Sequence, residues 1–327
     1  MLNAKRDFCL TISGAAGQIA YSLIPYVTEG QMFGKDKSIN LVLFDIPQMA
    51  DRLESLRMEI QDMCCPNITT LKIATSYKDA FMDADGVILL GGYPRKKGML
   101  RKDLISLNAP IFKETGEAIS KYSSPNAKIL VVANPANTNA LVLLKSSKLP
   151  PKNITALSFL DSNRLKGLIA NKFNCENTSV SGINIWGNHS TTLTIDCDDL
   201  VIYGKKVDEA TLLEKLQMTK NELSETIRQR GARVIEKRGL SSAMSAAKAI
   251  NDHMRKWFSP GKNCFCMAVY SDGNPFQIAD GIFYSFPVVA DNGEWLFDDK
   301  IKSNERIKRE LKESEKELID EKNKCDL

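Results

Sequence analysis

The sequence predicts an α/β protein whose first half forms a doubly wound parallel sheet and whose second half forms a mixed α+β domain. Short, almost continuously apolar segments alternate with helix-like segments through the first half, as in sheets that helices cover on both faces. A glycine turn joins the first strand to the first helix. The regular alternation is lost after Pro150-Pro151. We therefore expect two domains, residues 1–153 and 154–327.

The elements of the first half are identified by their apolar spacing. Runs of apolar residues bounded by turn residues predict strands, and apolar residues three or four apart predict helices. The predicted strands are 8–13, 39–44, 86–90 and 128–133, and the predicted helices are 18–27 and 49–63.

The second half has a less regular pattern. Strands are predicted at 179–186, 264–270 and 282–286, with helical stretches at 212–237 and 241–258. The last segment, 300–324, is dense in lysine and glutamate. Such a charge pattern predicts a solvated amphipathic helix, to which we assign no function of its own.

Composition excludes several classes of protein. The chain has 327 residues, of which 43% are hydrophobic and 26% charged, as in ordinary globular proteins. The net charge of +4 is too balanced to indicate a nucleic-acid partner or a membrane surface. No apolar run reaches about 18 residues, and we expect no secretory signal and no transmembrane helix. We expect a cytoplasmic protein.

The cysteines do not indicate a metal site. Eight are present, but no Cys-x-x-Cys spacing occurs, and the chain has two histidines. Zinc sites need closer sets of such ligands. We therefore predict no metal, and reduced, partly buried thiols.

The first glycine turn is a candidate nucleotide site. Residues 14–20 have the spacing Gly-x-x-Gly-x-x-Ala and lead from a strand into a helix. Glycine lets the backbone approach a phosphate closely, and the helix N-terminus attracts negative charge. The pattern is weak when it stands alone, because glycine turns are common.

Asp45 strengthens this interpretation. It ends the second predicted strand, where an acidic residue accepts hydrogen bonds from the adenosine ribose and repels a 2′-phosphate. NAD is therefore preferred over NADP. The alternative is that Asp45 caps the helix that starts near Pro47.

A candidate acid–base pair lies in the second half. Asp161 and Arg164 share the apolar side of a predicted helix with Leu165. Burying these charges without partners is costly, so they either pair with each other or face a cleft. His189 follows a strand, and an imidazole suits proton transfer near neutral pH. Asp161 is suited to orient it.

A cationic loop follows the third predicted strand. Residues 91–101 are glycine-rich and carry four cations, including Arg95 and Arg101. The simplest interpretation is a solvated basic loop. The other is a lid that closes on an anionic substrate, because arginine binds carboxylates bidentately.

Taken together, these residues resemble the lactate/malate dehydrogenase superfamily, and within it the cytosolic-type malate dehydrogenases. The likeness covers nearly the whole chain. It depends on several blocks that occur in family order, which are residues 14–20, Asp45, 95–103, 134–139, 161–164, 186–190 and 240–247.

The resemblance implies roles for the ionisable residues. His189 matches the proton acceptor for malate oxidation, and Asp161 matches its orienting partner. Arg164 matches the arginine that binds the C1 carboxylate, and Arg101 the one that polarises the C2 oxygen. Arg95 stands where the family recognises the second carboxylate of the substrate. The implied reaction is reversible NAD-dependent interconversion of malate and oxaloacetate.

The resemblance also implies contacts outside this ionisable set. Asn134 and Ser241 match substrate-binding positions, and a homodimer is expected in which the helix at 49–63 takes part. The implied NAD contacts are Gly14, Ala15, Ala16, Gly17, Gln18, Ile19, Ala20, Asp45, Asn108, Val132, Ala133 and Asn134.

Two other functions stay open at this point. One is a lactate dehydrogenase, or another 2-hydroxyacid dehydrogenase, on the same scaffold. Arg95 argues against it, because pyruvate has a methyl group where oxaloacetate has a carboxylate. The second is a non-catalytic nucleotide-binding relative, since a shared fold does not guarantee chemistry.

Overall fold

A computed structural model of the chain describes residues 7–93, 99–302 and 304–325. These residues form fourteen strands and eleven α-helices. The strands are β1 Phe8–Ser13, β2 Ile39–Phe44, β3 Ile68–Ala74, β4 Gly86–Leu89, β5 Lys128–Val131, β6 Ile154–Ala156, β7 Val180–Ser181, β8 Asn184–Trp186, β9 Thr194–Asp196, β10 Val201–Ile202, β11 Lys205–Lys206, β12 Asn263–Tyr270, β13 Phe283–Asp291 and β14 Glu294–Phe297. The helices are α1 Gln18–Thr28, α2 Ala50–Asp62, α3 Tyr77–Phe81, α4 Arg101–Tyr122, α5 Ala136–Ser146, α6 Phe159–Phe173, α7 Glu209–Leu216, α8 Lys220–Arg228, α9 Arg230–Arg238, α10 Met244–Phe258 and α11 Glu305–Asn323.

A single nine-stranded sheet runs through both halves of the chain. Its strand order is β14-β13-β12-β6-β5-β4-β1-β2-β3. The six strands from β6 to β3 are parallel, and their order is that of a doubly wound dinucleotide-binding sheet. β12, β13 and β14 extend the sheet with antiparallel pairing. The predicted fold class is confirmed.

The parallel strands are covered on both faces. In β1, Leu10 and Ile12 belong to one hydrophobic cluster, whereas Cys9 belongs to another. This alternation follows from the two-residue repeat of a strand. Helices α1, α2 and α10 contribute to the first cluster, and α3, α4 and α5 to the second. Because these strands are parallel, the carboxyl ends of β1, β2, β4 and β5 all lie at the same end of the sheet.

Two predicted elements are interrupted. The strand predicted at 179–186 is divided into β7 and β8 by Gly182, which has φ of +69°. A Cβ atom there would lie 1.7 Å from the Asp199 carbonyl oxygen, so close backbone approach breaks the strand. The helix predicted at 212–237 is three helices, and α7 ends at Leu216, just before Gln217 with its φ of +54°.

The C-terminal helix is less solvated than its charge pattern predicts. One face of α11 buries Ile307, Leu311 and Leu318, and the same face buries Ser314 and Glu321. The predicted amphipathic helix is present, and this face of it packs against α5, β9 and β13. The burial of Ser314 and Glu321 on the same face was not predicted. Within the described residues, no helix combines the length and apolar character that crossing a bilayer requires.

Candidate active site

The turn between β1 and α1 permits close backbone approach. Gly14 has φ of +68°, which residues with a Cβ atom rarely adopt. A Cβ atom there would lie 2.5 Å from the backbone nitrogen of Gly91, so the turns after β1 and β4 are in contact. The Gly17 N–H donates to the Gly14 carbonyl at 3.0 Å, and α1 begins at Gln18. Bare backbone and a helix N-terminus fit a pyrophosphate group.

Asp45 lies beside this turn, just after β2. Its Oδ2 accepts a hydrogen bond from the Ala16 N–H at 3.0 Å, and its Oδ1 accepts one from the Ile46 N–H at 2.9 Å. The short helix Pro47–Met49 has no side-chain cap, so the capping alternative is wrong. Asp45 is half-buried, and each carboxylate oxygen retains acceptor capacity for a ribose hydroxyl.

Asn108 links the loops that follow β4 and β5. Its Nδ2 donates to the Asn134 carbonyl at 3.0 Å, and its Oδ1 accepts from the Tyr93 N–H at 2.7 Å. Asn108 is completely buried, so in this structure its amide holds the two loops. Asn134 is exposed, and Val132 and Ala133 are half-buried at the same sheet edge.

Asp161 is the centre of the predicted acid–base cluster. It lies in the first turn of α6 and is buried, with 1% of its surface exposed. Its Oδ2 contacts the His189 Nδ1 at 2.5 Å, and its Oδ1 accepts from the Arg164 Nη1 at 2.9 Å. The structure therefore brings Asp161 and Arg164 together, as predicted from the helix spacing, and places His189 against the same carboxylate. His189 keeps Nε2 as its proton-accepting atom, because Nδ1 faces the carboxylate.

The charge state of Asp161 follows from these contacts. Burial by itself raises the pKa of its carboxyl group. The adjacent His189 and Arg164 outweigh burial, so the pKa of Asp161 is below its ordinary value. The carboxylate is thus ionised at neutral pH, with its two oxygens directed at His189 and Arg164.

Helix α9 covers Arg164. A Cβ atom at Gly231, in the first turn of α9, would lie 3.6 Å from the Arg164 Nη2. At the other end of this helix, Arg238 donates to the Ser241 carbonyl at 2.5 Å and to the Gln18 Oε1 at 3.3 Å. Ser241 therefore lies next to the nucleotide turn, at the junction of the two halves.

Arg101 is held against the end of the C-terminal helix. It is the first residue of α4, and its Nε contacts the Glu321 Oε1 at 2.5 Å. Its Nη2 also donates to the Asn188 Oδ1 at 3.1 Å, and its Nη1 donates to the His189 carbonyl at 3.4 Å. The guanidinium thus lies beside the residue that carries the candidate base. Arg95 lies outside the described residues.

Sequence reasoning missed two asparagines that position His189. Asn137 is buried in α5, and its Oδ1 accepts from the His189 N–H at 3.3 Å. Its Nδ2 donates to the Phe283 carbonyl at 3.0 Å. Asn188 is completely buried and contacts Arg101. The family-like block 134–139 contains Asn137, but the sequence does not show its role because its partners are far away along the chain.

The second histidine has a different environment. His253 is completely buried in α10, and its Nε2 contacts the Thr155 Oγ1 at 3.1 Å. Burial lowers the pKa of His253 to about 3. It therefore stays neutral at physiological pH, and its position between the rings of Trp257 and Phe265 is structural.

No disulfide joins any two cysteines within the described residues. Burial raises the pKa of Cys197 and of Cys266 to about 12, so both stay protonated and unreactive. The described part of the chain contains no group of three or more His, Cys, Asp or Glu side chains arranged to hold a metal ion.

Comparison with known proteins covers both halves of the chain. The family description "lactate/malate dehydrogenase, NAD binding domain" matches residues 9–156, and "lactate/malate dehydrogenase, alpha/beta C-terminal domain" matches residues 158–326. The chain is 44% identical over 317 residues to cytoplasmic malate dehydrogenase of Homo sapiens, with 95% of each chain covered.

Two solved structures are similar over 98% of both chains. Malate dehydrogenase from Naegleria fowleri has a TM-score of 0.92 and 37% identity to this chain. Trichomonas vaginalis lactate dehydrogenase in complex with NADH and oxamate has a TM-score of 0.90 and 34% identity. Both substrate classes therefore occur among proteins that share this fold.

Proposed function

Because this chain belongs to the lactate/malate dehydrogenase family, we propose that it catalyses the reversible NAD-dependent oxidation of malate to oxaloacetate. One observation carries the proposal. Asp161 contacts His189 at 2.5 Å and Arg164 at 2.9 Å, so an oriented base and a carboxylate-binding cation are adjacent. A nucleotide-binding protein without catalysis has no need of this buried arrangement.

NAD suits the edge of the parallel sheet. We assign the pyrophosphate to Gly14, Ala15, Ala16, Gly17 and the start of α1, and the adenosine ribose to Asp45. Ile19 and Ala20, together with Asn108, Val132, Ala133 and Asn134, belong to the same proposed cofactor site. When bound, NAD supplies the hydride acceptor for the reaction.

The protein residues supply proton transfer and orientation. His189 takes the proton of the C2 hydroxyl at Nε2, and Asp161 stabilises the resulting imidazolium. Arg164 binds the C1 carboxylate with a bidentate pair of N–H donors. In the reverse direction, His189 returns the proton to the C2 oxygen.

Arg101 and Arg95 complete the proposed substrate site. We assign Arg101 to the C2 oxygen and Arg95 to the second carboxylate, with Asn134 and Ser241 as further substrate contacts. Closure of the 91–101 loop excludes water and strengthens these charged interactions.

Lactate dehydrogenase is the second candidate, because the Trichomonas vaginalis enzyme has 34% identity over the whole fold. The two functions differ in the group that faces Arg95, which is a carboxylate in oxaloacetate and a methyl group in pyruvate. An unpaired arginine there disfavours pyruvate, so kcat/KM for oxaloacetate should exceed that for pyruvate by more than ~100-fold.

The test is a spectrophotometric assay of NADH and NADPH oxidation with oxaloacetate and with pyruvate. The malate assignment predicts fast oxidation of NADH with oxaloacetate and slow oxidation of NADPH. Comparable rates with the two keto acids would contradict it. Arg95→Leu should narrow the gap between the substrates, whereas Lys96→Leu, which removes the neighbouring charge, should preserve it.

We also propose a homodimer in the cytoplasm, as the name of the human relative indicates for its compartment. Met58 on α2 and Met63 just after it are exposed large apolar side chains, which suits a protein contact. Size-exclusion chromatography with light scattering should give about twice the chain mass of 36.4 kDa. A monomer at micromolar concentration would contradict this part of the proposal.

A further inference from the structure

We propose that Glu321 on the C-terminal helix is a positioning residue that fixes the Arg101 guanidinium beside His189. The inference rests on the proposed function, because it concerns the same reaction. It assigns a role in catalysis to a helix that the charge pattern of the sequence predicts to be solvated.

Glu321 is a buried carboxylate with several donors. Its side chain is 4% exposed, and its oxygens accept from the Arg101 Nε, the Thr138 Oγ1 and the Asn188 Nδ2. A buried carboxylate is tolerated when such donors satisfy it. Glu321 is therefore held in one position by α4, α5 and the segment after β8.

The contact with Arg101 involves two of its nitrogens. The Nε contacts Oε1 at 2.5 Å, and the Nη2 lies 3.4 Å from Oε2. A side-on pair of this kind sets the plane of a guanidinium as well as its position. Glu321 therefore controls the direction in which the remaining N–H groups of Arg101 point.

Asn188 closes a ring of three side chains. Its Oδ1 accepts from the Arg101 Nη2 at 3.1 Å, while its Nδ2 donates to the Glu321 Oε1 at 3.2 Å. Each member of the ring is thus bonded to the other two. The next residue is His189, whose backbone carbonyl lies 3.4 Å from the Arg101 Nη1. The ring therefore ties the guanidinium to the segment that carries the base.

This arrangement suits a reaction in which charge changes at the C2 oxygen. A donor that is already oriented stabilises such charge without reorganisation at the moment of reaction. Pairing with Glu321 also makes Arg101 locally neutral, so its contribution comes from direction more than from net charge. Alternatively, Glu321 could compete with the substrate for Arg101. The two roles predict different changes in kcat and KM when Glu321 is replaced.

The test is Glu321→Gln, assayed with oxaloacetate and NADH. The amide keeps the shape and can still bond Thr138 and Asn188, but it loses the charged contact with Arg101. We expect kcat to fall by about 10–100-fold with KM changed by less than about threefold. The primary deuterium isotope effect on malate oxidation should rise, because hydride transfer becomes slower.

Glu317→Gln is the matched control. Glu317 lies one turn earlier on α11 and accepts from Asn188, Ser190 and Thr192, with no contact to Arg101 among the described residues. Its kcat should stay within about threefold of the wild type. In an Arg101→Gln background, Glu321→Gln should likewise change kcat by less than about threefold. Should Glu321→Gln fail to fold, Glu321→Asp keeps the charge and withdraws it from Arg101, so kcat should still fall.

The outcomes separate this inference from the function itself. A wild-type enzyme that does not reduce oxaloacetate contradicts the proposed function. An active wild type with an unchanged Glu321→Gln variant overturns only the positioning role. A lower KM with kcat retained would identify a competitor, and equal losses in Glu317→Gln or in the Arg101→Gln background would indicate a general effect of the helix. A lower KM with kcat retained, and equal losses in either control, would each overturn the positioning role.

Discussion

Two arginines at the candidate active site are held by carboxylates of different origin. Arg164 contacts Asp161, three residues earlier on α6, whereas Arg101 contacts Glu321, 220 residues away on α11. The Arg164 side chain is 10% exposed, and that of Arg101 is 28% exposed. Helix geometry alone brings the first pair together, but the second pair forms only after the C-terminal helix packs.

This difference divides the site into two walls. We call Asp161, Arg164 and His189 the α6 wall, and Arg101, Asn188 and Glu321 the α11 wall. In the α6 wall, Asp161 and Arg164 are buried and are paired by local helix geometry, whereas His189 joins them from 28 residues away with 27% of its side chain exposed. In the α11 wall, Glu321 and Asn188 are also buried, but Arg101 is more exposed than Arg164 and its contacts are long-range. Breaking the arginine–carboxylate pair there should therefore cost less in both rate and stability.

The largest effect is expected where the two walls meet, at His189. His189→Ala removes the proposed base, and kcat/KM for oxaloacetate should fall by about 10³-fold. NADH affinity, measured by fluorescence titration, should change by less than about threefold because the nucleotide turn is untouched. A variant that keeps more than about a tenth of the wild-type kcat/KM would show that another group moves the proton.

Asp161→Asn tests the α6 wall next. The amide cannot stabilise an imidazolium, so kcat should fall by about 10²-fold. Arg164 also loses its partner in a buried position, which should lower the free energy of unfolding by about 3 kcal/mol. Urea denaturation checks this value.

The comparison of the walls also needs the free energy of unfolding of Glu321→Gln, measured by urea denaturation. Because Arg101 is more exposed, we expect a stability loss of only about 1 kcal/mol there. Equal losses in the two variants would remove the distinction between the walls.

His253 gives a smaller effect that depends on pH. Its pKa in the folded protein is about 3, against an ordinary value of 6.5. As the pH falls, His253 is therefore protonated in the unfolded chain at a higher pH than in the folded protein. The free energy of unfolding should decrease by about 1.4 kcal/mol per pH unit between about pH 6 and pH 3 from this group.

His253→Gln removes this contribution. The variant should have a flatter dependence of unfolding free energy on pH over the same window, measured by urea denaturation at several pH values. Circular dichroism at pH 7 verifies that it is folded. Parallel pH curves for the variant and the wild type would show that burial of His253 does not penalise its protonation.

Ser162→Ala should have the smallest effect, although Ser162 is adjacent to Asp161. Its buried hydroxyl has no hydrogen-bond partner among the described residues, so removing it should change the unfolding free energy by less than about 1 kcal/mol. Thermal melting checks this. A large loss of stability would mean that a residue next to the α6 wall contributes as much as one that is hydrogen-bonded within it.

Local patterns were sufficient to predict much of the fold and the Asp161–Arg164 pair of the α6 wall. The strands at 8–13 and 39–44 have apolar runs that match β1 and β2, and the spacing of Asp161 and Arg164 predicts their shared helix face. Such features depend on neighbours within a few residues, so they are visible in the sequence.

Long-range contacts account for what was missed. Glu321 is one of many acidic residues in a charged segment, and nothing in its own neighbourhood separates it from Glu317. Gly182 interrupts a predicted strand because the Asp199 carbonyl approaches it. Asn137 and Asn188 likewise obtain their roles from partners 50 or more residues away. These contacts follow from packing, which sequence periodicity does not describe.

The continuous sheet has a consequence for attempts to separate the two halves. β6 pairs with β5 through residues 154–156 and with β12 through Ala268 and Ala156. A fragment that ends at residue 153 would leave the outer edge of β5 with unpaired N–H and C=O groups along an apolar strand. Open edges of this kind recruit other chains. The fragment should therefore aggregate, and the two halves should fold well only when they are made as one polypeptide.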